Sequence, residues 1–207
     1  TSGYANVHRG LHYLANEATE AFEEAREIVR GYLNAASTDE IIFTKSATES
    51  INLVANSMGQ SVGPGDEVVL TIMEHHSNIV PWHFWRERKG AVLKWVPVGP
   101  DGSFDIAELE ARLTDRTKII AVTHMSNVLG TVLPIKDICR IAHARGIPVL
   151  VDGSQAAVHM PVDVQDLDVD FYVVTGHKLY GPTGVGVLYG KLDRLRALPP
   201  FLGGGEM

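Results

Sequence analysis

Two runs decide the fold of this chain: Pro148-Val149-Leu150-Val151-Asp152 and Phe171-Tyr172-Val173-Val174-Thr175-Gly176-His177-Lys178. Each is a short apolar, largely β-branched segment that ends abruptly in polar residues, the pattern of a strand leaving a buried sheet. Asp152 and Lys178 are separated by about one β–α–β step, which puts them at the ends of neighbouring strands. An ordinary salt bridge would account for the pair. So would a ligand that needs an amine and a carboxylate together.

The same pattern extends outward in both directions. Residues 41–44, 68–71, 92–96, 118–123 and 185–189 read as five further strands, making seven. Between them, residues 49–58, 79–88, 106–113 and 135–145 are long enough for crossover helices. Residues 11–33 carry apolar positions at helical spacing, with Phe22, Arg26 and Val29 on successive turns. Gly63-Pro64-Gly65-Asp66 and Gly99-Pro100-Asp101-Gly102 read as turns. Strands alternating with helices predict one α/β domain with a mainly parallel seven-stranded sheet flanked by helices, and in such sheets ligands bind outside the carboxyl ends of the strands.

Composition narrows the ligand. At 207 residues and 45% hydrophobic the chain can bury one substantial core. A formal charge of −7 removes the main electrostatic reason to approach nucleic acid or an anionic membrane. No apolar run is long enough to span a bilayer, and no charged-then-apolar leader opens the sequence. The single cysteine, Cys139, cannot form an internal disulfide and suits a reducing cytoplasm. A start at Thr1 and an end just after Gly203-Gly204-Gly205-Glu206 predict that the chain is part of something longer.

Polar residues follow five strands: Ser46-Ala47-Thr48-Glu49 after Thr44, Glu74-His75-His76 after Thr71, Ser126-Asn127 after Thr123, Asp152 itself, and His177-Lys178 after Thr175. Ser46 and Glu49 have the form of a capping box, and the helix they open aims free N–H groups at any anion nearby, with the Thr48 hydroxyl as a further donor. Pyridoxal phosphate asks for this set. It takes a lysine amine to form the Schiff base and a carboxylate to keep the pyridine nitrogen protonated. A histidine face over a flat ring accounts for one of His75 and His76. No metal is expected: His8 and His12 have a zinc spacing, but Arg9 stands where the glutamate belongs. Cys139 lies inside a predicted crossover helix, and packing is its expected role.

On these residues the chain resembles the class V aminotransferase superfamily, and within it the group II cysteine desulfurases, close kin of selenocysteine lyases. The resemblance is carried by Ala5-Asn6-Val7-His8-Arg9-Gly10, Ile51-Asn52-Leu53-Val54-Ala55, Met73 through Trp82, Ser126-Asn127-Val128-Leu129-Gly130, Val151-Asp152-Gly153-Ser154-Gln155 and Gly176 through Pro182. It implies the large domain of a fold-type-I pyridoxal-phosphate enzyme, without that family's first strand and small C-terminal domain. It implies that Lys178 holds the cofactor and moves protons, that Asp152 pairs with the pyridinium, and that His75 stacks on the ring. Gln155 and Asn127 would attend the ring hydroxyl and substrate, while Ala47, Thr48, Thr175 and His177 would hold the phosphate. His8 would lie near the substrate.

The implied reaction converts L-cysteine to alanine and a persulfide for iron–sulfur cluster assembly, in a homodimer in which Gly203-Gly204-Gly205 would reach toward the partner subunit's cofactor, with a sulfur-acceptor protein as partner. Its nucleophilic cysteine is expected beyond Met207. Selenocysteine lysis or another class V lyase or aminotransferase reaction would use the same Lys178 and Asp152. A non-catalytic dimerisation or sulfur-delivery chain would not need the cofactor.

Overall fold

The computed structural model describes residues 5–8, 10 and 12–204. Arg9, Leu11 and Gly205 fall outside these, and with them parts of the first motif, of the predicted first helix and of the C-terminal glycine run. Helix α1 (Tyr13–Leu33) is followed by β1 (Ile41–Thr44), α2 (Ala47–Met58), β2 (Glu67–Thr71), α3 (Val80–Lys89), β3 (Val92–Val96), α4 (Ile106–Glu110) and β4 (Thr117–Thr123). The second half runs α5 (Ile135–His143), β5 (Val149–Asp152), α6 (Ala156–His159), α7 (Val164–Leu167), β6 (Phe171–Thr175), β7 (Gly186–Gly190) and α8 (Leu192–Ala197).

The seven predicted strands form one sheet in the order β1-β7-β6-β5-β4-β2-β3. Only β7 runs against its neighbours, so the carboxyl ends of β1, β2, β4, β5 and β6 share one rim. The central strands read as continuous apolar runs because both faces are covered. Val68, Leu70, Ile119, Ala121, Leu150, Phe171 and Val173 pack under Ile51 and Val54 of α2 and Trp82 and Trp85 of α3. Their neighbours one residue along, Val69, Ile120, Val122, Val149, Val151, Tyr172 and Val174, pack on the other side with Ile138, Cys139 and Ala142 of α5. That alternation is the two-residue period of a strand.

Some boundaries moved. The predicted crossover at 106–113 is a helix only to Glu110, since Arg112 turns back to donate to the Trp95 and Glu108 carbonyls. Helices α6, α7 and α8 are too short to show an apolar period, although the Asp163 side chain caps α7 through the Asp166 N–H. Among the described residues no helix is long and apolar enough to cross a membrane.

One contact fixes how α2 meets the sheet. A Cβ on Gly186 would fall within 2.4 to 2.8 Å of the Ser46 main chain, so only glycine lets β7 pass beneath the start of α2.

Candidate functional site

A cleft of about 180 Å³ opens at the shared rim. Five segments wall it: Ser46, Ala47 and Thr48 after β1; His75 and Ser77 after β2; Thr123, Met125 and Asn127 at the end of β4; Asp152, Ser154 and Gln155 at the end of β5; Thr175, His177 and Lys178 at the end of β6. Every residue proposed from sequence for the cofactor is therefore in one place. His8 is not. Its ring meets Glu23 of α1 at 3.0 Å, outside the residues that line the cleft.

At one corner the Ser46 hydroxyl accepts the Glu49 N–H at 3.2 Å, as a cap should. The reciprocal arm of the expected capping box goes elsewhere: the Glu49 carboxylate accepts from the Lys45 N–H at 2.6 Å, because the extended backbone at Ser46 turns its own N–H away. The Ala47 and Thr48 N–H groups keep no acceptor among the described residues, at the positive end of a twelve-residue helix. Opposite them Thr175 Oγ1 and His177 Nδ1 are 3.0 Å apart. These four residues make an anion corner.

Across the cleft Asp152 is 5% exposed. One of its oxygens accepts the Ser154 N–H at 3.0 Å; the other has no donor among the described residues. The Ser154 hydroxyl beside it is also buried without a partner. A buried hydroxyl without a partner beside a carboxylate oxygen that is open to the cleft suits a hydrogen-bonding ligand. Behind them the Tyr172 ring fills the space where a Gly153 Cβ would sit, at 2.0 to 2.4 Å, and its hydroxyl meets His124 Nδ1 at 2.8 Å. Gly153→Ala must push against a fully buried ring, with an expected loss of about 1–3 kcal/mol in urea unfolding and a displaced Asp152.

Lys178 closes the third side from the turn Gly176–Lys178, half-buried, its ammonium without a hydrogen bond or ion pair among the described residues. The loop beyond is pinned by Gly181 N–H to the Gly176 carbonyl and Gly176 N–H to the Val185 carbonyl. Tyr180, two residues on, does not cover it: it has φ 60° and is 94% exposed. His75 is oriented by Ser77, whose N–H and hydroxyl both engage Nδ1, at 3.2 and 2.8 Å. His76 is exposed and not part of the lining.

Four lining residues carried no site role in the sequence reading: Ser77, Thr123, Met125 and Ser154. Ser154 sat inside a quoted motif, but an orphaned hydroxyl is visible only in three dimensions. Ser126, by contrast, turns away and accepts the Val128 and Leu129 N–H groups.

Burial sets the protonation of several interior groups. It pushes the Glu74 carboxyl up to about 7 against three hydrogen bonds, with the charge of Asp152 adding to the rise. It holds His124 down at about 4, hence neutral, and pushes the Cys139 thiol up to about 12. Because the folded state binds the Glu74 proton more tightly than the unfolded chain does, that contribution to stability is complete below about pH 4.5 and is lost as pH rises through about 7. Unfolding free energies from urea titration should therefore fall between pH 5 and 8, by at most about 3 kcal/mol from this group, and the Glu74→Gln variant should lose that slope.

A mainly parallel sheet covered on both faces thus brings a half-buried lysine, a buried carboxylate and the bare start of α2 to one cleft at its rim. The chain belongs to the aminotransferase class-V family, whose model it matches over residues 1–207. It is 54% identical over 205 residues to a cysteine desulfurase of Pectobacterium atrosepticum, covering 99% of this chain and 50% of that protein. The crystal structure of the cysteine desulfurase CsdA from Escherichia coli superposes with a TM-score of 0.89 at 45% identity, over 98% of this chain and 51% of that one. A structure of SspA in complex with cysteine gives 0.90 at 31% identity, over 100% and 59%. The chain spans about half the length of the curated relatives it matches.

Proposed function

We propose that residues 1–207 are the pyridoxal-phosphate-binding large domain of a cysteine desulfurase. The observation that carries this reading is the placement of Lys178 and Asp152 at neighbouring strand ends around one cleft, with the bare start of α2 at its far corner. The residues fit the cofactor. Asp152 has an unmatched oxygen for a protonated ring nitrogen, Ala47 and Thr48 have unmatched N–H groups for a phosphate, and Lys178 has an amine free to form a bond.

When bound, pyridoxal phosphate supplies an electron sink that acidifies the α-proton of an attached amino acid. The chain's part is to hold and to move protons. Lys178 Nζ anchors the cofactor and then takes the α-proton; Asp152 keeps the ring nitrogen protonated; His75, fixed by Ser77, covers a ring face. Thr175 and His177 complete the phosphate corner, and Asn127 and Gln155 reach the ring hydroxyl and the substrate. Desulfuration also needs a thiolate to take the sulfur. Cys139 cannot be that group, since it is fully buried with its thiol held protonated to about pH 12, so the sulfur acceptor is a cysteine outside these 207 residues.

L-cysteine is the substrate favoured by the cysteine desulfurases and the cysteine complex among the similar proteins. In this reading the enzyme acts in the cytoplasm as a homodimer and passes sulfur to an acceptor protein for iron–sulfur assembly. The test is alanine release by the intact enzyme from L-cysteine and L-selenocysteine. Alanine and sulfide from cysteine support desulfuration; release from selenocysteine alone replaces it with selenocysteine lysis, and release from neither removes both.

A further inference from the structure

Beneath the cleft lies a carboxyl that the proposed chemistry does not use. Glu74 follows β2 by three residues and is buried. Three donors converge on it: the Thr71 hydroxyl at 2.5 Å, the Asn78 amide at 2.7 Å and the Thr123 N–H at 3.0 Å. All three are neutral. Asn78 cannot reverse its amide, because its carbonyl oxygen accepts from the Trp82 indole at 3.1 Å and an indole can only donate. The Thr71 hydroxyl can turn, so the Glu74–Thr71 contact is where a proton can be held or given up.

No cation pairs with Glu74 among the described residues. His75 and His76 follow it in the chain, His124 follows its donor Thr123, and Asp152 on β5 lies across from Thr123. The charge of Asp152 acts on it with the same sign. Thr123, which donates to Glu74, is the cross-strand partner of Asp152. Two carboxyls therefore occupy one water-poor floor under a cleft, and burying both as anions without a cation is costly.

We propose that Glu74 exchanges a proton with ligand charge in the cleft, holding it until a protonated ring nitrogen docks on Asp152 and then releasing it to solvent. The inference rests on the cofactor reading above. The charge balances: before docking the floor holds one carboxylate and one neutral acid, and afterwards two carboxylates and one ring cation, a net single negative charge in both states. The O–H bond of Glu74 breaks heterolytically and the proton leaves to buffer. By linkage, a ligand that expels a proton binds more tightly as that proton is removed by rising pH.

Calorimetric titration of the chain with pyridoxal phosphate at pH 6.5, in two buffers of different ionisation enthalpy, counts the protons released. Wild type should release roughly half a proton or more beyond Glu74→Gln, which has none to give at this site. Because the glutamine amide would face the Asn78 amide and can weaken folding, a second measurement uses wild type alone. In protein labelled with carbon-13 glutamate, the infrared band of a protonated buried carboxyl should be present before the cofactor is added and lost after. Equal proton release from both proteins, or a band absent at the start or unchanged by the cofactor, overturns the proposal. Borohydride reduction of the same samples separates the failures: an adduct on Lys178 with an unchanged band removes Glu74 alone, whereas no adduct removes the cofactor reading and Glu74 with it.

Discussion

Lys178→Ala should leave a folded protein that holds pyridoxal phosphate loosely and turns over almost nothing. The ammonium is half-buried and makes no bond among the described residues, so its removal should change unfolding free energy by no more than about 0.5 kcal/mol. Catalysis is another matter. Proton transfer by a positioned side chain contributes roughly 10²–10⁴-fold, and losing the covalent anchor adds to that loss. Alanine release by the intact enzyme should drop by roughly 10⁴-fold. Cofactor should wash out on gel filtration, because the anion corner and Asp152 are left to hold it alone. A variant that kept a tenth of wild-type turnover would show that another amine does the work.

Asp152→Asn separates shape from charge. The amide oxygen can still accept the Ser154 N–H, so the end of β5 should keep its form. What is lost is the charged acceptor for the ring nitrogen. A hydrogen bond to a charged group is worth about 1.5–3 kcal/mol, so cofactor affinity should fall roughly 10- to 100-fold. Turnover should fall further than affinity, since an unprotonated ring is a poorer electron sink. Equilibrium dialysis against pyridoxal phosphate checks the first effect and alanine release the second. Unchanged affinity would mean that the ring does not meet this carboxylate.

The architecture was legible because burial on both faces writes itself into sequence. The runs at 149–152 and 171–175 are apolar at every position up to their polar ends, and turns rich in Gly and Pro bound their neighbours. The rim was legible for a topological reason: a polar residue straight after a strand has only one place to go. Side-chain direction was not legible. Nothing in Glu49 says that its carboxylate reaches Lys45 instead of Ser46, nor in Tyr180 that it faces solvent. His8 was placed near the substrate by resemblance, and here it pairs with Glu23 on α1.

The roles beneath the floor were hidden for a related reason. Glu74 reads as one acid among many in a chain with 25 Asp and Glu residues, and it becomes distinctive only once three neutral donors close around it. Gly153 is only one member of a motif in the sequence until the Tyr172 ring is seen against it. Long-range contacts of this kind depend on how the strands are ordered in the sheet, and one strand's sequence does not record which strand lies beside it.

Reduction with borohydride in the presence of pyridoxal phosphate, followed by digestion and mass spectrometry, puts the arrangement of amine, carboxylate and cleft to the most direct trial. A phosphopyridoxyl group on the peptide containing Lys178, and on no other lysine, is the predicted result. A folded protein labelled at a different lysine, or carrying no label at all, would contradict the account.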